Sequence, residues 1–254
     1  EQMEVIIKNA IEKNISEICF TDHVDYGIKI DHDIFKQMSD DEKQKFEKVL
    51  NVDYPNYFKE IETLKNKYKN QITIKQGLEF GIQTHTVKKF QQLFDSYDLD
   101  FIILSCHQAN DKEFWNYNYQ NGKTEDEYNL GYYEEIYKCI HLYHDYSILG
   151  HLDLIQRYNK TIYPFEKSRD IITKILKKVI EDGKGIEVNT SSFAYKLKDL
   201  TPSKEILKLY YELGGKIITI GSDSHKAESI GSHIPLIQQE LKNIGFSHFC
   251  TFDK

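Results

Sequence analysis

Short apolar runs with the composition of strands recur along the chain at SEICF (16–20), ITIKQGLEF (72–80), DFIILSC (100–106), YSILGHLDLI (146–155), KGIEVNT (184–190), KIITIGS (216–222) and HFCTF (248–252). Between most of them, apolar positions repeat every three or four residues, which is the spacing of amphipathic helices. These stretches are YPNYFKEIETLKNKY, THTVKKFQQLFDSY, LGYYEEIYKCIHLYH, EKSRDIITKILKKVIEDG and SKEILKLYYELGG, several of them closed by Gly after the last turn. Strand and helix alternate throughout, so the pattern predicts parallel strands with crossover helices. Seven strand candidates with no linker between them predict one domain over 1–254, folded as a closed (β/α) barrel, with an open doubly wound sheet as the competing arrangement. The chain opens on a helix, EQMEVIIKNAIEKN, and position 1 is Glu rather than Met, so a further strand is expected ahead of this sequence.

Two segments interrupt the alternation, 26–52 and 108–130. Both are polar and longer than an ordinary strand-to-helix connection. Each follows the C-terminal end of a strand, the face on which barrels carry substrate contacts. Composition then removes several classes of function. Net charge is −7, from 33 basic against 40 acidic residues, so no nucleic-acid partner is expected. No apolar run approaches the roughly 18 residues of a membrane span and no signal peptide stands at the start, so no membrane partner is expected. Cys19, Cys106, Cys139 and Cys250 are far apart and form no CxxC pair. They predict reduced thiols and a cytoplasmic protein.

Candidate chemistry lies where the strands end. SEICF runs into Thr21, Asp22 and His23. The next three strands carry Glu79, His107 and His151, and the two after them carry Glu187 with Asn189 and Asp223 with His225. An apolar strand has no packing reason to finish in a titratable group, and six such endings would place imidazoles and carboxylates around one barrel mouth. Mixed His and carboxylate donors are the material of metal sites. Asp22 either orients a ligand or caps the following segment. His141 and His144 lie on the opposite face and are expected to serve stability or the surface. The same holds for His85, His233 and His248, while His32 is left open. Only Arg157 and Arg169 are arginines among the 33 basic residues. Arg157 follows GHLDLIQ, where its guanidinium fork could grip a phosphate or make a structural ion pair. Trp115 stands among Phe114, Tyr117 and Tyr119 and could stack on a flat ring or anchor its loop.

The ordered set TDHVD, GLEFG, SCHQ, GHLDL, EVNTS and GSDSH resembles the PHP family, named for polymerase and histidinol phosphatase. Within it, GLEFG, SCHQ with a following aromatic loop, and GHLDLIQRY are most similar to the histidinol-phosphate phosphatase branch. The resemblance implies a distorted (β/α)7 TIM-like barrel holding two or three divalent ions of Zn, Fe or Mn. It implies His23, Glu79, His107, His151, Asp223 and His225 as their ligands. Glu79 would bridge two ions, His107 and His151 would complete one of these, His23 and His225 would serve the third, and Asp223 would hold the remaining ion. Family members begin with a strand carrying an HxH pair, which is not in this sequence and is expected to precede it.

The activity implied is hydrolysis of L-histidinol phosphate to L-histidinol and phosphate, a step of histidine biosynthesis. Catalysis would run through Glu79 and Asp223 by way of a hydroxide at the ions, with Arg157, Asn189 and Trp115 contacting the small-molecule substrate. Two other readings compete. One is a PHP phosphoesterase for another phosphomonoester, such as a nucleotide or phosphotyrosine, and the other is a metal-binding protein without catalysis.

Overall fold

The computed structural model describes residues 2–253. Helix α1 (Met3–Glu12) leads into β1 (Glu17–Phe20) and the two-residue β2 (His23–Val24). The 26–52 segment holds two short helices, α2 (His32–Lys36) and α3 (Asp40–Phe46). After α4 (Tyr54–Tyr68) come β3 (Thr73–Gly81), α5 (Val87–Ser96) and β4 (Phe101–Ser105). The second long segment starts with a hairpin of β5 (Gln108–Ala109) and β6 (Lys112–Glu113). It ends in α6 (Glu125–Leu142), which begins earlier than its apolar repeat suggests because Thr124 and Glu127 form a capping box. The rest alternates: β7 (Ile148–Leu149), α7 (Phe165–Glu181), β8 (Gly185–Asn189), α8 (Ser191–Ala194), α9 (Lys204–Glu212), β9 (Ile218–Gly221) and α10 (Ile234–Ile244).

All pairings of the main sheet are parallel and follow the order β1-β3-β4-β7-β8-β9, with β2 beside β3. β1 and β2 are one interrupted strand. Phe20 faces Gln76 and His23 faces Glu79, so the register is unchanged across Thr21 and Asp22. Helices cover the outer face. There Leu78 and Phe80 of β3 are fully buried, and the Phe80 ring lies 4.7 Å from Phe90 and 6.1 Å from Tyr143. The alternate positions of β3, including Lys75, Gly77 and Glu79, face inward, because successive side chains of a strand point to opposite faces.

The sheet curls as expected of a TIM-like α/β barrel that lacks one strand: among the described residues β1 and β9 stand at its two ends and do not pair with each other. Two readings of individual runs are corrected. HFCTF is not a strand; one hydrogen bond from Cys250 N to Ile218 O, 2.7 Å, is its link to β9. The tail turns inward instead, where the Phe252 ring meets Phe101 at 5.0 Å and Lys75 Nζ donates to the Phe252 carbonyl and the Asp253 carboxylate. YSILGHLDLI yields only Ile148–Leu149 as strand. Beyond it the chain winds into a 3-10 turn over Leu154–Tyr158, and the buried Leu152, Leu154 and Ile155 belong to that bend. A short apolar run reads the same in either conformation. Among the described residues no helix is long and apolar enough to cross a membrane.

Phe80→Ala removes a fully buried ring behind Glu79 and is expected to cost about 3–5 kcal/mol of stability, read as a lowered urea midpoint with unchanged slope.

Candidate metal centre

Along the inner face of the curled sheet lies a cleft of about 1010 Å³, lined at its mouth by His23, Glu79, Glu187, Asn189, Asp223 and His225. The register brings the first two together, since His23 and Glu79 are paired neighbours on β2 and β3. Glu79 Oε1 then collects three partners: Ser105 Oγ at 2.5 Å, His151 Nε2 at 2.9 Å and His107 Nε2 at 3.1 Å. The two Nε2 atoms are themselves 3.3 Å apart. On its other side, His107 Nδ1 is 2.8 Å from Asp25 Oδ1, and Asp25 Oδ2 is 2.6 Å from His23 Nδ1. Lys29 Nζ reaches the same corner, 2.9 Å from Asp25 Oδ2 and 3.0 Å from His23 Nδ1.

Sequence reasoning did not single out Asp25. Its signal was present in TDHVD: two residues after His23 in an extended segment, a side chain points to the same face. The local structure fixes it firmly. Asn51, itself buried, accepts from the Asp25 backbone N–H at 2.9 Å, and the side chain is 5% exposed. Gly81 makes room for this contact, because a Cβ there would lie 2.0 Å from Asp25 Oδ1 and 2.9 Å from His107 Nδ1. Gly221 does the same for Glu187, whose Oε1 would meet such a Cβ at 2.1 Å.

Electrostatics at this corner follow from burial and pairing. Burial alone would raise both acids, yet His107 and His151 hold Glu79, and His107 and His23 hold Asp25, well below the ordinary carboxylate range. Burial alone would lower His107; the Glu79 and Asp25 carboxylates reverse this and raise it to about 10. Glu187 lacks such a cation. Burial, with Glu79 and Asp223 nearby, pushes it up to about 8.

The donors fit a divalent metal. His23, Asp25 and His107 present three ligand atoms within 4.8 Å of one another, as do Glu79, His107 and His151. The two triads share His107, so they describe adjacent positions. Among the described residues His151 Nδ1 is buried without a partner. Carboxylate and imidazole donors suit zinc, iron and manganese alike.

Of the remaining expected residues, Asp223, His225 and Asn189 line the same cleft. Asp223, in a left-handed backbone conformation, has Oδ1 3.6 Å from His225 Nδ1 and Oδ2 3.7 Å from Arg157 Nη2. The His225 ring is 6.4 Å from that of His23. Asp22 lines the cleft beside them. Asn189 also lines it, but its amide is engaged by protein: Nδ2 donates to Glu187 at 3.2 Å and Oδ1 accepts from Ser191 N at 3.0 Å. Trp115 stands apart at 63% exposure, so it does not anchor its loop; the buried Phe114 and Tyr119 do, with ring centroids 5.0 Å apart. The other histidines have local partners. His85 meets Asp111, His32 meets Asp53, His144 meets Asp182, His141 meets the Tyr137 carbonyl, His233 stacks on Phe193 and His248 meets Ser247.

The chain is similar to known proteins over most of its length. The sequence model of the PHP domain family matches residues 1–191. A histidinol-phosphatase of Lactococcus lactis is 31% identical over 251 residues, covering 97% of this chain and 86% of the relative. A probable histidinol-phosphatase of Clostridium acetobutylicum is 30% identical over 230 residues, covering 88% and 80%. Among solved structures, histidinol phosphate phosphatase from Lactococcus lactis, in complex with zinc, L-histidinol and phosphate, superposes with a TM-score of 0.84 at 29% identity, covering 100% of this chain and 91% of that one. A Listeria monocytogenes structure described as a putative histidinol phosphatase shares the fold, with a TM-score of 0.66 at 20% identity and 93% coverage of each chain.

His107 sets a pH dependence in the metal-free protein. Its folded pKa is raised, so its contribution to stability is complete below pH 6.5 and is lost as pH rises toward 10, at up to about 1.4 kcal/mol per unit. Urea unfolding of chelator-treated protein across this range is expected to show the decline, and His107→Asn to flatten it.

Proposed function

The chain belongs to the PHP domain family, and we propose that it is a metal-dependent histidinol-phosphatase, hydrolysing L-histidinol phosphate to L-histidinol and phosphate. The observation that carries this reading is the pair of donor triads meeting on His107, with an arginine 3.7 Å from the cleft-lining Asp223, together with likeness over nearly the whole chain to a phosphatase crystallised with zinc, histidinol and phosphate. The 254 residues would act as one barrel unit.

His23, Asp25, Glu79, His107 and His151 would hold the divalent ions, with Asp223 and His225 completing the rim. The zinc of the Lactococcus lactis complex supports zinc here, and the number of donors supports two or three ions. Bound ions supply the charge that activates the attacking water and offsets the phosphate oxygens. Glu79 presents one carboxylate oxygen to both His107 and His151, and through His107 its triad adjoins the other. The raised His107 marks how strongly its two acids call for a cation; binding requires the neutral ring, so metal would displace that proton. Arg157 holds the phosphate of the substrate at the mouth, its guanidinium fork matching two phosphate oxygens. Glu187 supports the His151 backbone N–H at 3.2 Å and so fixes the β7 side of the site.

The test is phosphate release from L-histidinol phosphate beside a nucleotide and phosphotyrosine. Preference for histidinol phosphate, abolished by chelation and restored by zinc or manganese, is expected. Chelator-sensitive hydrolysis of the others with none of histidinol phosphate would keep the metal chemistry and reject the substrate. Glu79→Gln is expected to lower kcat by about a hundredfold or more and to reduce bound metal.

A further inference from the structure

Arg157 is held in an unusual way for a buried arginine. Its side chain is 6% exposed and its ion pair with Asp223 is long, with Oδ2 3.7 Å from Nη2, so among the described residues no carboxylate reaches it at hydrogen-bond distance. Its one short contact is neutral: Nη2 donates to Ser191 Oγ at 2.5 Å. Its Nε is buried with no partner among the described residues. The guanidinium carbon lies 4.4 Å from the centroid of the Tyr195 ring, which is 57% exposed and so is not a core residue.

The Ser191 hydroxyl is oriented from behind. It donates its single proton to Asn189 Oδ1, Asn189 Nδ2 donates to Glu187 Oε2 at 3.2 Å, and that carboxyl oxygen also accepts from His151 N. Every donor in this chain points the same way, from the guanidinium toward Glu187, so each bond polarises the next. With its proton engaged, Ser191 can meet Arg157 only as an acceptor. A carboxylate in its place would pair with the arginine and neutralise it. A hydroxyl and an aromatic face hold a guanidinium in position without cancelling its charge.

We infer that Ser191 and Tyr195 are positioning residues for Arg157, neutral holders that fix its guanidinium without adding a second carboxylate to the long Asp223 contact, and so leave its charge to the substrate phosphate. The inference rests on the phosphate-binding role proposed for Arg157. Its test is a double-mutant cycle on the metal-loaded protein, read as the affinity for inorganic phosphate, so a wrong choice of organic substrate does not hide the result. Ser191→Ala is expected to weaken phosphate binding about tenfold, with melting temperature and metal content unchanged, and Ser191→Thr to restore it. Tyr195→Leu is expected to weaken it in the same direction. In an Arg157→Ala background, Ser191→Ala is expected to add no further loss. An equal loss in both backgrounds, no loss in either, or no phosphate binding by the unsubstituted protein would overturn the inference.

Discussion

His107 stands between Asp25 and Glu79, 2.8 Å from one carboxylate and 3.1 Å from the other, and the burial of both acids depends on it. Two carboxylates brought this close out of water repel each other and lose hydration. An imidazole with a nitrogen turned to each removes both objections. The arrangement needs β3 and β4 in register, Gly81 without a side chain, and the β1–β2 strand continued far enough to deliver His23 and Asp25. The aromatic packing of Phe80 and Phe90 behind β3 and the Asn51 bond to Asp25 serve the same geometry from outside.

Much of this was legible in the sequence, because strand order and strand ends are written locally. Tyr54–Tyr68 coincides with its apolar repeat, and the titratable groups that end strands do gather at one mouth. What was not legible depends on tertiary contact. Asp25 needed the strand to continue past Thr21 in an unbroken register, which two polar residues conceal. HFCTF has strand composition, but its residues are claimed by Lys75 and Phe101 at the floor of the sheet. Trp115 and its neighbours Phe114 and Tyr119 are alike in composition, and only packing decides that the tryptophan faces solvent. Arg157 was marked by the rarity of its residue type, while the neutral company it keeps could not be read from sequence at all.

The two acids beside His107 and the acid of β8 show how one chemical group takes opposite states in one cleft. Glu79 and Asp25 face imidazoles and stay ionised. Glu187 faces other acids and is pushed toward its neutral form. Its partners are N–H groups of His151 and Asn189, so it acts as a fixed acceptor that ties β7 to β8.

Lys29 adds a last element to this corner. Its ammonium already lies against Asp25 and His23, the atoms on which a metal would draw, and together with His107 it balances the buried acids from within the chain. Burial of the acids therefore does not wait for an external cation, unlike in small domains whose folding is bought by metal binding. The corner thus carries two positive partners for its two buried carboxylates within the polypeptide itself, one just past the end of β4 and one in the segment that follows β2.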